Sequence, residues 1–204
     1  MFITFEGIDG SGKSTQAKYL KERLSDDGFN VYLLREPGGT IISEKIRDLI
    51  LNHKESLISD YTEALLIASS RYQLVNEIIG PELKKKSIVI CDRYIDSTLA
   101  YQGYGRGINI KWLMAINKFS LNQANPDLTF LFDLNVKDSI KRIESKNKDR
   151  IELEGDTFLK KVRNGYLELS KDLKRFYILN AVDSPLNLKS KVYEIYLNHK
   201  NQNY

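Results

Sequence analysis

The sequence predicts an α/β protein, with a five-stranded parallel sheet flanked by helices on both faces. Short apolar runs alternate with longer segments of helical periodicity along the 204 residues. The run Ser87–Cys91 is short and continuously apolar, as is typical of buried parallel strands. No internal repeat or change of composition divides the chain. We therefore expect one doubly covered domain over residues 1–204.

A glycine-rich motif follows the first predicted strand, Phe2–Glu6. Its spacing is Gly, four residues, then Gly-Lys-Ser, and a helix to about Asp27 comes next. This strand–loop–helix order defines a P-loop, whose backbone N–H groups surround phosphate oxygens. In such a loop the lysine reaches the β- and γ-phosphates, and the hydroxyl binds Mg²⁺. The motif predicts that a nucleoside triphosphate binds at Gly7, Ile8, Asp9, Gly10, Ser11, Gly12, Lys13, Ser14 and Thr15.

The remaining elements alternate in the same way. Further strands are predicted at Phe29–Leu34, Ser87–Cys91, Leu128–Asp133 and Phe176–Leu179. Further helices are predicted at Ile41–Leu51, Asp60–Ile79, around Trp112–Phe119, at Val136–Ser145 and Thr157–Leu173, and from Pro185 onward. Strands that alternate with helices in this way indicate a parallel sheet.

Two local signals refine this picture. Asp60 and Glu63 have the spacing of a helix N-cap and its capping-box partner, and Gly80-Pro81 is expected to end the helix that they begin. The segment Lys146–Asp156 is strongly polar and has no apolar period. We expect it to be a mobile loop.

Composition excludes several classes of protein. Apolar residues make up 42% and charged residues 28% of the chain. The net charge of +4 comes from lysines that are interleaved with acidic residues, not from a basic block of the kind that binds nucleic acid. No apolar run approaches the length of a transmembrane helix, and no basic and then apolar leader begins the chain. With Cys91 as its single cysteine, the chain is expected to be cytoplasmic. The interleaved charges and the lack of a long apolar run predict that it binds neither nucleic acid nor membranes.

P-loops occur in GTPases, motors and small-molecule kinases. GTPases read guanine with Asn-Lys-x-Asp, whereas this chain has Asn147-Lys148-Asp149-Arg150, which lacks the final aspartate. Asp92-Arg93 directly follows the third strand. The carboxylate can hold Mg²⁺ or orient an attacking oxygen, and the guanidinium can clamp an acceptor phosphate through two hydrogen bonds. This pair favours a kinase whose acceptor already carries a phosphate.

Six segments together resemble the bacterial thymidylate kinases. They are Phe5-Glu6-Gly7-Ile8-Asp9-Gly10-Ser11-Gly12-Lys13-Ser14-Thr15, Arg35-Glu36-Pro37-Gly38-Gly39-Thr40, Asp92-Arg93-Tyr94 with Ser97, Ala100-Tyr101-Gln102-Gly103, Gly105-Arg106-Gly107, and Asp149-Arg150-Ile151-Glu152 with Phe158, Arg163 and Tyr166 beyond it. The resemblance spans residue 2 to about residue 170. It implies a homodimer that transfers the γ-phosphoryl group of ATP to dTMP with Mg²⁺, giving dTDP and ADP in the route to dTTP.

The resemblance also implies roles for individual residues. Asp9 would lie near the sugar 3′-hydroxyl, Arg93 would bind the acceptor phosphate, and Arg71 would hydrogen-bond the thymine ring. Tyr101 would pack against the 2′-carbon, where a ribose hydroxyl would clash. Ser14 and Asp92 would hold Mg²⁺. The catalytic set would be Lys13, Asp9, Asp92, Arg93 and Arg150.

Other residues would complete the acceptor pocket. Ser97 and Gln102 would line it, Glu36 and Pro37 would shape its wall, and Arg47 would lie near the acceptor phosphate. Each of these side chains also admits a purely structural interpretation: loop packing for Ser97, Tyr101 and Gln102, and a solvated helix position for Arg47 and Arg71.

Two positions depart from the pattern of the family or vary within it. Some members carry an arginine in the P-loop where this chain has Gly10, so Arg150 in the polar loop would supply that charge instead. The family usually has a phenylalanine four residues before Arg71, where this chain has Ile67. Either dTMP binds more weakly here or with broader base acceptance, or the helix is offset by one turn.

Two other functions stay open at this point. Another P-loop nucleotide or deoxynucleoside kinase would use a different acceptor. A nucleotide-gated binding module would hydrolyse ATP or GTP slowly and phosphorylate no acceptor.

Overall fold

The computed structural model describes residues 1–52, 57–143, 150–172 and 174–203. Its centre is one sheet of five parallel strands in the order β2-β3-β1-β4-β5. The strands are β1 Phe2–Glu6, β2 Val31–Arg35, β3 Ile88–Asp92, β4 Leu128–Asp133 and β5 Phe176–Asn180. The predicted five-stranded parallel sheet is confirmed.

Helices follow each strand. They are α1 Lys13–Asp26, α2 Ile41–Asn52, α3 Asp60–Leu74, α4 Gly80–Lys84, α5 Ile95–Thr98, α6 Ile110–Gln123, α7 Val136–Ile143, α8 Asp156–Asp172 and α9 Pro185–Asn203. Two π-helical segments, Val75–Ile79 and Leu99–Gly105, continue α3 and α5, and a 3₁₀ turn covers Glu152–Glu154. Residues 146–149 of the predicted mobile loop lie outside the described part of the chain.

The core lies on both faces of the sheet. Successive residues of a strand point to opposite faces, so Phe2 and Cys91 belong to one apolar cluster, with α3 and α6, while Ile3 and Ile90 belong to the other, with α1, α8 and α9. All five residues of β1 are buried. β1 is therefore covered on both sides, whereas the outer strands β2 and β5 are only partly buried.

The helix that begins near Asp60 differs from the prediction at both ends. Its N-cap is Ser59, whose side chain accepts a hydrogen bond from the Thr62 backbone N–H. The predicted pairing of Asp60 with Glu63 as a capping box is wrong, because the buried Glu63 carboxylate bonds to other elements instead. Gly80-Pro81 does not end the helical path either. Proline is tolerated in the first turn of α4, where its missing N–H is not needed.

The strand register brings the ends of three strands together. Phe5 and Arg35 both pair with Asp92, and the Arg93 backbone N–H donates to the Phe5 carbonyl oxygen. The P-loop, the segment after β2 and the Asp92-Arg93 pair therefore meet at the carboxyl edge of the sheet, where open α/β folds bind ligands. Over the residues described, none of the helices combines the length and apolarity needed to cross a bilayer.

Candidate active site

The P-loop connects β1 to α1 through backbone conformations that favour glycine. Gly7, Gly10 and Gly12 have φ angles of 138°, 75° and 88°. A Cβ atom on Gly7 would lie 2.6 Å from the Phe132 carbonyl oxygen. Gly12 is the N-cap of α1 and supplies no side-chain cap, so the N–H groups of the first helical turn face the loop. This arrangement attracts a phosphate group.

A hydroxyl and a carboxylate meet at the base of this loop. Ser14 Oγ donates a hydrogen bond to Asp92 Oδ2. The other carboxylate oxygen, Asp92 Oδ1, is buried and has no hydrogen-bond partner among the described residues. A buried acceptor without a partner is costly in a folded protein. The pair thus offers oxygen atoms of the type that bind hard divalent cations.

Asp9 is surrounded by positive charge. Its Oδ1 atom lies 2.7 Å from Arg93 Nη2 and 3.5 Å from Lys13 Nζ, and Tyr101 Oη donates to its Oδ2 at 3.3 Å. Burial by itself raises the pKa of Asp9, but attraction to Arg93 and Lys13 outweighs that effect and holds the pKa well below its usual range. The Asp9 side chain is therefore a carboxylate at neutral pH.

Arg93 has a left-handed backbone, with φ of 70°, which is uncommon outside glycine. Its guanidinium donates to the Gly7 carbonyl oxygen at 2.9 Å, to Ser97 Oγ at 3.3 Å and to Tyr101 Oη at 3.2 Å. It also stacks on the Tyr101 ring, 5.0 Å from the centroid. A strained residue persists where its surroundings fix it in this way, most often at functional sites.

Glu6 lies behind Arg93, and sequence reasoning assigned it no role. Its carboxylate accepts hydrogen bonds from the Tyr94 backbone N–H at 2.8 Å, from Ser97 Oγ at 2.6 Å and from Tyr166 Oη at 3.1 Å. Burial, followed by the nearby Asp96 charge, raises the pKa of Glu6 to about 7. An acid at the end of an otherwise apolar strand was the sequence signal that could have found it.

One cavity beside the P-loop collects the residues predicted for the acceptor. It is lined by Asp9, Glu36, Pro37, Arg47, Leu51, Ile67, Arg71, Arg93, Tyr94, Ser97, Thr98, Tyr101, Gln102 and Ile151. A second depression lies over the P-loop itself and is lined by Asp9, Gly10, Gly12, Lys13, Ser14, Thr15, Arg142 and Ile143. Asp9 lines both.

Arg71 is buried and held from three sides. Its Nε donates to Glu36 Oε2 at 2.7 Å, Nη1 to Asn117 Oδ1 at 2.6 Å and Nη2 to Thr98 Oγ1 at 2.9 Å. Burial raises the pKa of Glu36 to about 7, while the Arg71 guanidinium opposes that rise. The solvated-helix interpretation of Arg71 is therefore wrong: this guanidinium is fixed at the cavity wall.

Ile67 lies in the same cavity, one helical turn before Arg71. Within α3, which the structure describes throughout, Ile67 and Arg71 are the residues that line this cavity. Arg47 also lines the cavity, and its Nη1 donates to the Pro37 carbonyl oxygen at 2.9 Å. The walls of the acceptor cavity thus include residues of α2, α3 and the segment after β2.

Arg150 lies on the acceptor side rather than at the P-loop. Its Nη2 bonds to Glu63, its Nε donates to the Ile50 carbonyl oxygen at 2.9 Å, and its backbone N–H donates to the Leu51 carbonyl oxygen at 3.2 Å. The structure therefore does not bring Arg150 together with Lys13 and Asp9.

Arg142 was missed by sequence reasoning. Its guanidinium donates to the Gly10 carbonyl oxygen at 3.0 Å and to the Ala181 carbonyl oxygen at 3.2 Å, so it borders the P-loop depression. Nothing in the periodicity of α7 distinguishes it from the other basic residues there.

Known proteins show the same combination of sequence and fold. The family profile described as thymidylate kinase matches residues 5–192. The chain belongs to the thymidylate kinase family. It is 44% identical to the thymidylate kinase of Thermosipho africanus over 199 residues, which cover 98% of each chain, and 46% identical to that of Caldanaerobacter subterraneus over 192 residues, which cover 94% of this chain and 92% of the other.

A solved structure agrees with this membership. The crystal structure of the Ehrlichia chaffeensis thymidylate kinase superposes with a TM-score of 0.78 at 35% identity, over 96% of this chain and 97% of that one. The family predicted from the sequence is confirmed. Membership of the thymidylate kinase family makes this chain an enzyme that phosphorylates dTMP to dTDP.

Proposed function

We propose that the chain transfers the γ-phosphoryl group of ATP, with Mg²⁺, to dTMP bound in the cavity beside the P-loop. The observation that carries this proposal is the joint lining of two cavities by Asp9. One cavity has the backbone N–H groups and lysine of a triphosphate site. The other has the buried Arg71 and the partly buried Arg93, which suit a phosphorylated acceptor. Phosphoryl transfer needs two such sites that open onto each other.

On the donor side, the residues from Gly7 to Thr15 would hold the triphosphate, with Lys13 on the β- and γ-phosphates. Arg142 would add a positive charge at the rim of this depression. Ser14 and Asp92 would hold Mg²⁺, and the buried, unpartnered Asp92 Oδ1 supports this assignment. Bound there, Mg²⁺ would neutralise charge on the phosphates.

On the acceptor side, Arg93 would bind the phosphate of dTMP and Arg71 would donate hydrogen bonds to the thymine ring. Tyr101 would exclude a ribose 2′-hydroxyl, and Asp9 would accept a hydrogen bond from the 3′-hydroxyl. The remaining wall would come from Glu36, Pro37, Arg47, Ile67, Ser97 and Gln102. Their common lining of one cavity supports these roles.

The chemical step requires the dTMP phosphate oxygen to attack the γ-phosphorus while the bond to the β-γ bridging oxygen breaks. Catalysis of this transfer consists mostly of positioning and charge stabilisation. Arg93 would hold the attacking phosphate, and Lys13 would follow the charge that develops on the transferred group. Arg150, held by Glu63 on the acceptor side, would add a further positive charge to the site.

The test is an ADP-release assay with ATP, Mg²⁺ and a panel of acceptors that contains dTMP, dUMP, dCMP, TMP with a ribose sugar, and thymidine. We expect dTMP to be the preferred acceptor and the ribose form and thymidine to react poorly. A preference for thymidine would instead indicate a nucleoside kinase. ADP release that no acceptor stimulates would indicate a nucleotide-gated module.

The assembly and location of the enzyme are proposed in the same way. Apolar side chains are exposed on the adjacent helices α3 and α6, among them Leu65, Tyr72 and Phe119. Burial of such side chains against a second copy would support the homodimer that the family resemblance implies. Sedimentation at twice the 23.6 kDa chain mass is the expected result. We propose a single cytoplasmic kinase domain.

A further inference from the structure

Glu63 is a buried carboxylate outside the assigned catalytic set. It lies in the first turn of α3, and its side chain is 1% exposed. It accepts hydrogen bonds from Gln102 Nε2 at 2.8 Å, from Arg106 Nε and Nη2 at 3.1 Å each, and from Arg150 Nη2. Burial alone raises the pKa of Glu63, but hydrogen bonds from Arg106 and Arg150 bring it below the usual value. The side chain is an anion.

These bonds join separate parts of the molecule. Gln102 belongs to the π-helical segment that lines the acceptor cavity, and Arg106 follows that segment. Arg150 begins the stretch 150–154, whose next residue, Ile151, also lines the cavity. Arg106 Nη1 then donates to Glu154 Oε1 at 2.6 Å, so the far end of this stretch is attached too.

The contacts of Arg150 complete the attachment. Its Nε and its backbone N–H bond to the last carbonyl groups of α2, those of Ile50 and Leu51. Leu51 itself lines the cavity. The stretch 150–154 thus lies between α2 and α3, and the Glu63 carboxylate is the point at which α3 holds it.

We propose that Glu63 is a positioning residue for the acceptor: it anchors residues 150–154 and Gln102 as one wall of the dTMP cavity. This inference rests on the assignment of that cavity to dTMP. Glu63 is not among the residues that line either cavity. It acts through Gln102, Arg150 and Ile151.

A carboxylate is required at this point because two guanidinium groups share it. Arg106 also pairs with Asp60 at 3.3 Å and with Glu154 at 2.6 Å. Among the described residues, by contrast, Glu63 is the carboxylate that neutralises Arg150. In Glu63→Gln, an amide N–H₂ group would replace one acceptor oxygen and face an arginine. Arg150 would then leave the wall, since its remaining partners are neutral carbonyl groups, and Gln102 would lose its fixed amide orientation.

The experiment measures dTMP and ADP affinities by calorimetric titration, without ATP, so that no turnover occurs. We expect Glu63→Gln to weaken dTMP binding at least fivefold and to change ADP binding less than twofold. Glu82→Gln is the matched control, because Glu82 is also a buried carboxylate, bonded to Lys85 at 2.8 Å and Ser87 at 3.0 Å, and it lies on α4 away from the cavity. This control should bind dTMP normally.

A second variant tests the same bond from the more exposed side. Arg150→Gln should weaken dTMP binding as Glu63→Gln does. The double variant should bind dTMP no more weakly than the single variant with the lower affinity, since both substitutions remove the same interaction. Should Glu63→Gln fail to fold, Arg150→Gln carries the test alone. Unchanged dTMP affinity in the folded variants, or equal loss for dTMP and ADP, would overturn the proposal. Failure of the unmodified protein to bind dTMP would instead contradict the proposed function.

Discussion

The role of Arg150 decides how positive charge is distributed in the proposed active site. Two polyanions have to approach each other, and each arginine near their junction reduces the repulsion between them. The P-loop of this chain has glycine at position 10, where the family resemblance implies an arginine in some members. In the structure Arg150 is held by Glu63, and the next residue, Ile151, lines the acceptor cavity.

We expect Arg150→Ala to lower the turnover number of dTMP phosphorylation at least tenfold while the protein remains folded. The reason is the lost charge near the transferred phosphoryl group, an effect of the size seen when a positioned cation is removed. Steady-state kinetics with saturating ATP and dTMP provide the measurement, and circular dichroism checks the fold. Near-normal turnover would remove Arg150 from the catalytic set.

Ile67 is the residue at which the family resemblance implies a phenylalanine. Its side chain is 8% exposed and lines the cavity one turn from Arg71. An isoleucine offers apolar contact to thymine but no ring face, and an aromatic pair contributes roughly 0.5–1.5 kcal/mol beyond area burial.

Ile67→Phe should therefore tighten dTMP binding by about threefold to tenfold, as follows from that free energy. Titration of dTMP into both proteins gives the comparison, with ADP as the reference ligand because its site does not include residue 67. Equal dTMP affinities would mean that the base does not stack on this wall.

At the scale of an element, the P-loop depends on backbone shape as much as on side chains. Gly12 ends the loop with φ of 88° and has open space where a Cβ would lie. Gly28, after α1, has the same φ of 88° and the same open space, and it lies outside both cavities. Gly12 begins α1 at the P-loop and Gly28 follows the other end of α1, so the pair compares a glycine at the candidate phosphate site with one away from it.

Gly12→Ala and Gly28→Ala should accordingly lower the free energy of unfolding by similar amounts, about 1–2 kcal/mol, because an L residue is disfavoured at this φ. Gly12→Ala alone should weaken ATP binding, by tenfold or more, since a methyl group would occupy the approach of the phosphates. Urea unfolding and ATP titration of both variants test this pairing. Equal ATP affinities would show that the loop tolerates a Cβ there.

The elements themselves were predictable where local pattern decides them. The five strands, the P-loop and the Asp92-Arg93 pair all follow from apolar runs and from the residues that end them. The π-helical segments and the continuation past Pro81 were not predictable, because a π turn is stabilised by packing and leaves no period in the sequence. Ser59 rather than Asp60 caps α3 for a similar reason: Glu63 finds partners far along the chain.

At the scale of the whole molecule, the site depends on contacts between distant segments. Glu6 meets Tyr166 across 160 residues, Arg71 meets Asn117 across 46, and Arg150 meets Glu63 across 87. A single sequence contains no signal for such pairs. The sequence therefore predicts which residues line the cavity, because they follow the ends of the strands. It does not predict which buried groups hold those residues in place.

Buried acids also make the stability of the whole fold depend on pH. The pKa of Glu6 is raised to about 7 in the folded protein, whereas the ordinary value for glutamate is 4.5. Between these values the folded state binds more protons than the unfolded state. The stabilising contribution of Glu6 is then fully present below pH 4.5 and is lost as the pH rises towards 7.

Glu6→Gln should remove this dependence, because a neutral amide cannot ionise. We expect the free energy of unfolding of the unmodified protein to fall between pH 5 and pH 7.5 by on the order of 3 kcal/mol more than that of the variant. Urea unfolding at a series of pH values supplies the curves. Glu82→Gln is the control, since the Lys85 hydrogen bond lowers the pKa of Glu82 and its effect falls at more acidic pH. Parallel curves for Glu6→Gln and the unmodified protein would mean that Glu6 is already ionised in the folded state, stabilised by the positive charge of Arg93.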